Sequence, residues 1–161
     1  MRTGKGVEWA LHTLLNLAWL GGGEPVPTAQ LAAGHDLSPS YLNKQLQQLV
    51  KAGLLESVPG ARGGFRLARP LEAVSLLDVV VAVEGDEPLF HCAEIRRCGT
   101  IGERCPDATF ARPCAVRTAM GRAETAWRKA LAEQSLADIQ ATTDAYVPTM
   151  AQRVRQAIGD D

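Results

Sequence analysis

Cysteine is absent from most of this sequence: none occurs before Cys92 or after Cys114, and four lie within that short segment. The chain also has no apolar run near the roughly 20 residues that a membrane span requires. No signal-peptide cleavage site follows the apolar run Leu14–Leu20. These absences predict a cytoplasmic protein without a membrane partner. Thiols stay reduced in that compartment, which disfavours a disulfide framework and favours metal or redox chemistry.

Enzyme motifs are lacking too, because no nucleophile motif or Cys–His–Asp arrangement is readable and the glycines form no phosphate-binding loop. The sequence therefore predicts a protein that is not an enzyme. With 161 residues, the chain has the size of one domain, or of a small domain joined to an oligomerisation segment.

An excess of charge of one sign is missing, since the formal net charge is −1. That value alone argues against a nucleic-acid binder, but the distribution of charge says more. Residues 1–70 carry seven Lys/Arg and four Asp/Glu, whereas residues 71–161 carry ten and fourteen. A mildly basic front and an acidic rear suit a DNA-reading module joined to a regulatory half.

Apolar periodicity predicts a mainly α fold with one small β-hairpin. Thr28 and Ser38 are predicted helix N-caps, and Pro39 fits the first position of its helix. The predicted helices are 7–20, 28–36, 38–53, 75–85 and 114–132, with a further capped turn at 135–141, and the predicted strands are 54–58 and 64–68. The long helix carries an apolar stripe that includes Val116 and Met120, and residues 85–113 are predicted as loop.

This order of elements is typical of a winged helix-turn-helix domain. We predict that domain over residues 1–84, a cysteine-containing cluster-binding loop over 85–113, and a dimerisation helix with a C-terminal tail over 114–161. In such domains the third helix presents polar side chains to base edges, and an arginine at the hairpin tip can enter a minor groove or hold a phosphate. The residues predicted to contact DNA are Ser38, Ser40, Tyr41, Lys44, Gln45, Gln48, Lys51 and Arg62.

Any one of these polar residues could equally well belong to an ordinary solvent-exposed helix surface. The prediction of DNA binding therefore depends on the ordered combination of the helices and the hairpin. One such module makes few DNA contacts. We therefore expect a homodimer on a double-stranded DNA operator with two-fold symmetry.

The cysteine spacing does not match a common zinc site, because no CxxC pair occurs among Cys92, Cys98, Cys105 and Cys114. Paired zinc ligands usually lie about two to four residues apart, although distant ligands can also build a site. Irregularly spaced thiolates suit iron–sulfur chemistry equally well.

The segment SPSYLNKQLQQLVKAGLLESVPGARGGFRLARP resembles the recognition helix and wing of the Rrf-type transcription regulators, the group that includes IscR and NsrR. SLLDVVVAVEG, the cysteine loop and AETAWRKALAEQSLADI fit the same family, so the resemblance covers nearly the whole chain. It implies a homodimer joined through the long helix, and in many members an iron–sulfur cluster whose state sets DNA affinity. This chain departs from the family's three-cysteine pattern by a longer gap before Cys114 and by a fourth cysteine.

The opening VEWALH and the stretches FHCAEIR and CAVRTAMGRAETAW are most similar to the RsrR-like subgroup. That resemblance implies a 2Fe–2S cluster held by Cys105 and Cys114 of one subunit and by Glu8 and His35 of the other. Cys98 and Cys92 are secondary candidates, and a 4Fe–4S cluster or zinc is the alternative cofactor. Glu8 could instead be a solvated carboxylate near a helix N-terminus, and His35 could cap its helix. His12 and His91 are the alternative imidazoles.

The sequence thus predicts a DNA-binding transcriptional regulator that senses redox state, or a related stress, through an iron–sulfur cluster held across the homodimer. The alternative is a zinc-containing regulator, or a cofactor-free one whose thiols respond to oxidants. In the cofactor-free case, Arg96, Arg97 and Arg104 would favour thiolates.

Overall fold

The structure is a computed structural model that describes residues 4–21 and 23–159. Helices and one antiparallel hairpin make up its regular structure, and this confirms the predicted mainly α winged-helix fold. The helices are α1 (Lys5–Trp19), α2 (Thr28–Ala33), α3 (Pro39–Lys51), α4 (Leu76–Glu84), α5 (Gly99–Glu103), α6 (Ala115–Ala132), α7 (Leu136–Tyr146) and α8 (Met150–Ile158), and the strands are β1 (Leu55–Val58) and β2 (Gly64–Leu67). None of the helices in the described ranges is both long and apolar enough to span a membrane.

The chain divides into two compact units. The larger unit contains the chain up to Asp86 together with the segment from Leu131 onward, and the smaller unit is Glu87–Ala130. The outermost parts of the predicted domains, residues 1–3 and 160–161, lie outside the described residues.

The recognition helix α3 forms where its apolar spacing places one face in the core of the larger unit. Leu42, Leu46 and Leu49 are fully buried at helical spacing, against buried leucines of α1. Pro39 occupies the first turn of α3, where its missing N–H leaves no unpaired donor. Ser38 holds the N-cap position as predicted, but its hydroxyl pairs with the Ser40 hydroxyl at 2.8 Å instead of capping the helix.

The start of α2 differs from the prediction, because Thr28 lies within the helix and Pro27 occupies the N-cap position. Thr28 therefore does not cap α2, and the Pro27 side chain has no acceptor that could replace it. The helix ends at Ala33 with Gly34 as its C-cap, so it is shorter than the predicted range 28–36. An added Cβ at Gly34 would lie 2.7 Å from the Ile158 side chain, so α8 packs closely on this end.

The wing is the β1–β2 hairpin, which pairs Leu55 with Leu67 and Val58 with Gly64. Its inner side is anchored by the buried Phe65, whose backbone exchanges two hydrogen bonds with Val26 at 2.9 and 3.0 Å. An added Cβ at Gly64 would overlap the Val26 carbonyl, so this approach requires glycine. The bridge to Val26 thus holds the first residues of β2, next to the tip of the wing, against the chain that leads into α2.

The C-terminal tail is helical through Ile158 and packs on α1 and α2. Trp19 Nε1 donates to Asp144 Oδ1 at 2.9 Å, and the Arg155 guanidinium donates to the Trp19 carbonyl at 3.1 Å. Val154 and Ile158 are buried in the same core as the recognition helix. The C-terminal helices therefore form part of the larger unit.

The smaller unit contradicts the prediction that residues 85–113 are loop throughout. It contains the one-turn helix α5 and short 3-10 turns at Ile95–Arg97 and Asp107–Phe110. Five residues with two glycines carry no apolar period, so the pattern of the sequence could not indicate α5. On α6, Val116 is 59% exposed and Met120 is 42% exposed, which leaves part of the predicted apolar stripe uncovered in the single chain.

Candidate functional site

The outward face of α3 carries most of the predicted DNA contacts. Ser38, Ser40, Tyr41, Lys44 and Lys51 are all exposed on or next to this helix. Asn43 and Gln47 are exposed as well, and sequence reasoning missed them although the helical period places them away from the buried leucines. The face is therefore polar, carries two lysines and can reach base edges and phosphates.

Gln45 and Gln48 differ from the other predicted contacts because both are half-buried. Gln48 Nε2 donates to the Val83 carbonyl of α4 at 3.3 Å. An added Cβ at Gly6 would lie 2.8 Å from Gln45 Oε1, so that side chain turns toward the start of α1. Both amides thus lie between α3 and its neighbours α1 and α4, where they help to hold the recognition helix in place.

Arg62 is exposed at the tip of the wing, as predicted. The tip turns tightly, since Gly60 has φ +107° and an added Cβ at Gly63 would overlap the Val58 carbonyl. Sequence reasoning missed Arg69 at the base of the wing. Its Nε donates to the Gly53 carbonyl at 3.0 Å, so a cation lies at the C-terminal end of α3, where the helix dipole favours it. Arg69 thereby ties the wing to the recognition helix.

His35 lies in the turn between α2 and α3 and joins an aromatic cluster on α1. Its ring centroid is 5.5 Å from that of Trp9 and 6.0 Å from that of His12. Asn16, which is 5% exposed, places Nδ2 at 2.8 Å from His35 Nε2. Burial, and then the charge on His12, hold the pKa of His35 below its usual value, which favours the neutral imidazole that a metal ligand needs.

Glu8 is exposed on α1 and lines a surface groove of about 330 Å³ with His12, one helical turn away. Because His12 also lies beside His35, the structure brings Glu8, His12 and His35 to one side of α1. The predicted carboxylate and imidazole ligands therefore belong to the same surface region, with His12 as a second imidazole there.

Cys114 and Cys92 line one pocket of about 510 Å³ in the smaller unit, together with Arg96 and the exposed His91. Cys114 is buried and immediately precedes α6. The backbone N–H of Arg117, that of Val116 and the Arg96 charge lower the pKa of Cys114, although burial opposes them. This end of the pocket favours a thiolate, which is the form that binds metal or reacts with oxidants.

The other two cysteines lie apart from this pocket. Cys98 is exposed at the start of α5, and Cys105 is half-buried behind that helix, with its N–H bonded to the Gly102 carbonyl at 3.1 Å. All four cysteines are free thiols. Within the described part of a single chain, no group of three or more His, Cys, Asp or Glu side chains could hold a metal ion.

Arg96 organises the pocket from inside the cysteine segment. Its guanidinium pairs with Glu94, donates to the Arg112 carbonyl at 3.2 Å and lies 5.6 Å from the Phe110 ring centroid. Arg97 stacks on the same ring at 4.5 Å, whereas Arg104 is exposed. Of the three arginines predicted to favour thiolates, Arg96 is the one whose charge lowers the pKa of Cys114.

A helix-turn-helix with a wing, a polar recognition face and an exposed arginine at the hairpin tip defines a winged-helix DNA-binding protein. The model of the Rrf2 family, described as an iron-dependent transcriptional regulator, matches residues 3–142. The chain belongs to this family. Rrf2 proteins are transcription regulators that bind DNA, typically as dimers, and they are not enzymes, so the predictions of a regulator and of a non-enzyme are confirmed.

Individual relatives agree with this assignment. Protein rrf2 of Nitratidesulfovibrio vulgaris is 35% identical over 132 residues, which cover 82% of this chain and 82% of the relative. The HTH-type transcriptional regulator IscR of Vibrio cholerae is 34% identical over 115 residues, or 71% of this chain and 65% of the relative. The structure of CymR, the global cysteine regulator of B. subtilis, matches with a TM-score of 0.68 at 24% identity, covering 89% of this chain and 99% of CymR. At that identity the likeness confirms the fold.

Proposed function

We propose that this Rrf2 regulator is a homodimer whose affinity for a two-fold symmetric DNA operator is set by an iron–sulfur cluster of the 2Fe–2S type. Cysteines of one subunit and Glu8 and His35 of the other would hold the cluster, as in the RsrR-like subgroup that the sequence resembles. The observation that carries the proposal is the position of His35, because this imidazole lies in the turn that leads directly into the recognition helix.

On the cysteine side, Cys114 is the first proposed ligand because its environment favours the thiolate. The resemblance to the RsrR-like subgroup implies Cys105 as its partner, but Cys92 is the thiol that lines the same pocket. We therefore place Cys92 before Cys105 as the second ligand. Cys98, exposed at the start of α5, stays third.

The donor set fits an iron–sulfur cluster, since soft thiolates bind iron and an imidazole can replace a thiolate. A bound cluster would supply one-electron redox chemistry, at a potential raised by the imidazole and the carboxylate relative to four thiolates. A histidine ligand must also be neutral, and the lowered pKa of His35 favours the neutral ring, whose Nε2 contacts Asn16.

The connection from His35 to DNA runs through a short and constrained turn. Asp36 follows with φ +52°, a conformation that non-glycine residues rarely adopt, and the Leu37 N–H bonds back to the Ala32 carbonyl at 2.9 Å. Ser38 then begins the recognition helix. Because the turn has little freedom, a displacement of His35 by an ångström or so would move the N-terminal end of α3. A tenfold change in operator affinity needs only about 1.4 kcal/mol.

The proposed DNA contacts are the exposed side chains of α3 and the wing. They are Ser38, Ser40, Tyr41, Asn43, Lys44, Gln47, Lys51 and Arg62. Gln45 and Gln48 have a supporting role in this proposal, because their amides lie against α1 and α4. Lysine contacts to phosphate strengthen binding to any sequence, whereas the polar side chains near Ser40 would read bases.

Anaerobic purification followed by iron, sulfide and visible-absorption analysis tests the cluster and its ligands. We expect a coloured protein with iron and sulfide, and loss of that colour in Glu8→Ala, His35→Ala, Cys92→Ala and Cys114→Ala. Glu24→Ala, at an exposed position outside the proposed site, is the control, and Cys98→Ala tests the third candidate thiol. Colourless protein with stoichiometric zinc would contradict the cluster.

The same series decides between the ligand pairs. If Cys105→Ala loses the colour while Cys92→Ala keeps it, Cys105 is the ligand. His91 lines the cysteine pocket within one subunit, so His91→Ala tests the assignment across the dimer. Loss of colour in His91→Ala but not in His35→Ala would contradict a ligand from the partner subunit.

A cofactor-free thiol sensor is the second candidate, and the pocket shared by Cys92, Cys114 and Arg96 favours it. In this case oxidation of the thiols would change DNA affinity in iron-free protein. Arg96→Gln should raise the pKa of Cys114 and slow its reaction with a thiol reagent at neutral pH, whereas Arg97→Gln should not. DNA binding that is indifferent to oxidant in iron-free protein would exclude this candidate.

A further inference from the structure

Asn16 is a buried polar residue in the middle of an apolar helix segment. It is 5% exposed, and its neighbours Leu15 and Leu17 belong to the core. A buried carboxamide without partners is unfavourable, so such groups are nearly always hydrogen-bonded. Here the Nδ2 atom of Asn16 lies 2.8 Å from Nε2 of His35, which ties α1 to the turn before the recognition helix.

The chemistry of the two groups determines where the imidazole proton lies. In the carboxamide orientation that the structure has, the nitrogen of Asn16 faces Nε2 of His35. A carboxamide nitrogen can only donate, so in this orientation Nε2 is the acceptor and carries a lone pair. In the neutral ring the proton then lies on Nδ1. An imidazolium has no acceptor atom, so the contact in this orientation of the carboxamide requires the neutral ring.

We propose that Asn16 is a positioning residue that holds the His35 ring by Nε2 and leaves Nδ1 as the one ring nitrogen available to a ligand. The cluster as that ligand rests on the function proposed above. The hydrogen bond itself, and the tautomer that it selects, belong to the chain without any metal.

Ligand binding at Nδ1 requires a rearrangement that Asn16 can accommodate. Nδ1 must give up its proton to become a donor, and in the neutral ring a proton must then lie on Nε2, so the net change is a shift of one proton between the two nitrogens. The carboxamide would rotate by about 180° to present Oδ1 to the new N–H. A carboxamide can pair with either tautomer, whereas an ionised carboxylate can only accept and leucine can do neither.

Nitrogen NMR of the histidine rings in metal-free, full-length protein tests the proposal. We expect Nδ1 of His35 to carry the proton and Nε2 to be unprotonated in the unaltered chain. Asn16→Asp should reverse this, because an ionised carboxylate accepts from Nε2–H. A His35 ring protonated at Nε2 in the unaltered chain would overturn the proposal, as would an Asn16→Asp spectrum with the original tautomer.

Thr13→Val is the matched control. Thr13 is equally buried on α1, and its hydroxyl donates to the Trp9 carbonyl at 2.7 Å, with no contact to His35 among the described interactions. It should keep the original tautomer even if it loses stability. If Asn16→Asp does not fold, the spectrum of the unaltered chain still decides, because the expected tautomer is a property of that chain.

The same variant separates this proposal from the function on which it builds. In cluster-loaded protein, Asn16→Asp should lower the reduction potential, because a carboxylate on Nε2–H makes the imidazole a stronger donor. Thr13→Val should leave the potential unchanged, and an equal shift in both variants would overturn the positioning role. If the purified protein holds no iron while the tautomer is as expected, the proposed function fails and the role of Asn16 in orienting the ring stands.

Discussion

At the scale of single residues, buried polar contacts carry most of the functional proposal. His35 is held by Asn16 and flanked by Trp9 and His12, and Cys114 has a thiolate-stabilising environment at the start of α6. The partners of His35 and the Arg96 charge beside Cys114 come from distant parts of the sequence, whereas the N–H groups of Val116 and Arg117 are local to Cys114. The type of ligand residue could therefore be predicted from the sequence, but the partner that prepares each ligand could not.

The titration of His35 gives a prediction for metal-free protein. The pKa of His35 is lowered in the fold, so the unfolded chain binds more protons as pH falls through about 6.5, the usual histidine value. His35 therefore favours unfolding as the pH falls from 6.5 toward its lower folded-state value, and the loss is complete below that value.

Denaturant unfolding measured between pH 7.5 and pH 5 should show a steeper loss of the free energy of unfolding in the unaltered chain than in His35→Gln. Gln47→Ala, a substitution of an exposed residue that does not titrate, is the control and should retain the full slope. Equal slopes in the unaltered chain and His35→Gln would show that burial does not perturb this ring.

At the scale of elements, the helix boundaries follow the caps and the apolar period closely. Ser75 and Ser135 each form a reciprocal capping box with the aspartate three residues later, so α4 and α7 begin where their sequences indicate. Ser38 holds the same position at α3, but its side chain accepts no backbone N–H of the helix and remains exposed. A cap residue that leaves the backbone uncapped is free to contact DNA.

This contrast predicts opposite effects for two matched substitutions. Ser75→Ala should lower the free energy of unfolding by about 1 kcal/mol, because it removes a cap, and should leave intrinsic DNA contacts intact. Ser38→Ala should change stability by less than about 0.5 kcal/mol, as is usual for exposed positions, but should weaken operator binding. Thermal unfolding and titration of labelled duplex measure the two effects, and a large stability loss in Ser38→Ala would show that the hydroxyl does cap α3.

Gln45 lies only about 60° from the buried leucine stripe, because α3 turns by about 100° per residue. It is therefore half-buried, and its contact with DNA stays a prediction. The errors in predicting the elements have physical causes. The helix α5 lacks a periodic apolar pattern. The apolar pattern of α8 is short, and its meaning is clear only in the fold, where Val154 and Ile158 are buried in the core. The pocket that joins Cys92 to Cys114 spans 21 intervening residues, so spacing along the chain could not identify the pair.

At the scale of the whole molecule, the proposed switch requires two copies of the chain. The apolar residues Val116 and Met120 on α6 are exposed in the single chain, as a dimerisation helix would require. The cysteines lie in the smaller unit, and Glu8 and His35 lie in the larger unit. A cluster shared across the dimer would therefore take its cysteines from the smaller unit of one subunit and its other ligands from the larger unit of the second subunit.

Met120→Asp should therefore shift the protein toward monomer in sedimentation analysis and abolish cluster binding, because each site would lose the donors of the partner. Tyr146→Asp is the matched control, since Tyr146 is an 81% exposed aromatic residue on α7 in the other unit. A Met120→Asp protein that stays dimeric would place the interface elsewhere.

The affinity of cluster-loaded protein for one operator duplex, measured in the oxidised and the reduced state at a single salt concentration, tests the coupling of iron to DNA most directly. We expect the two dissociation constants to differ at least tenfold, which corresponds to about 1.4 kcal/mol. Equal dissociation constants in the two states would contradict the proposal that a change at His35 reaches the recognition helix.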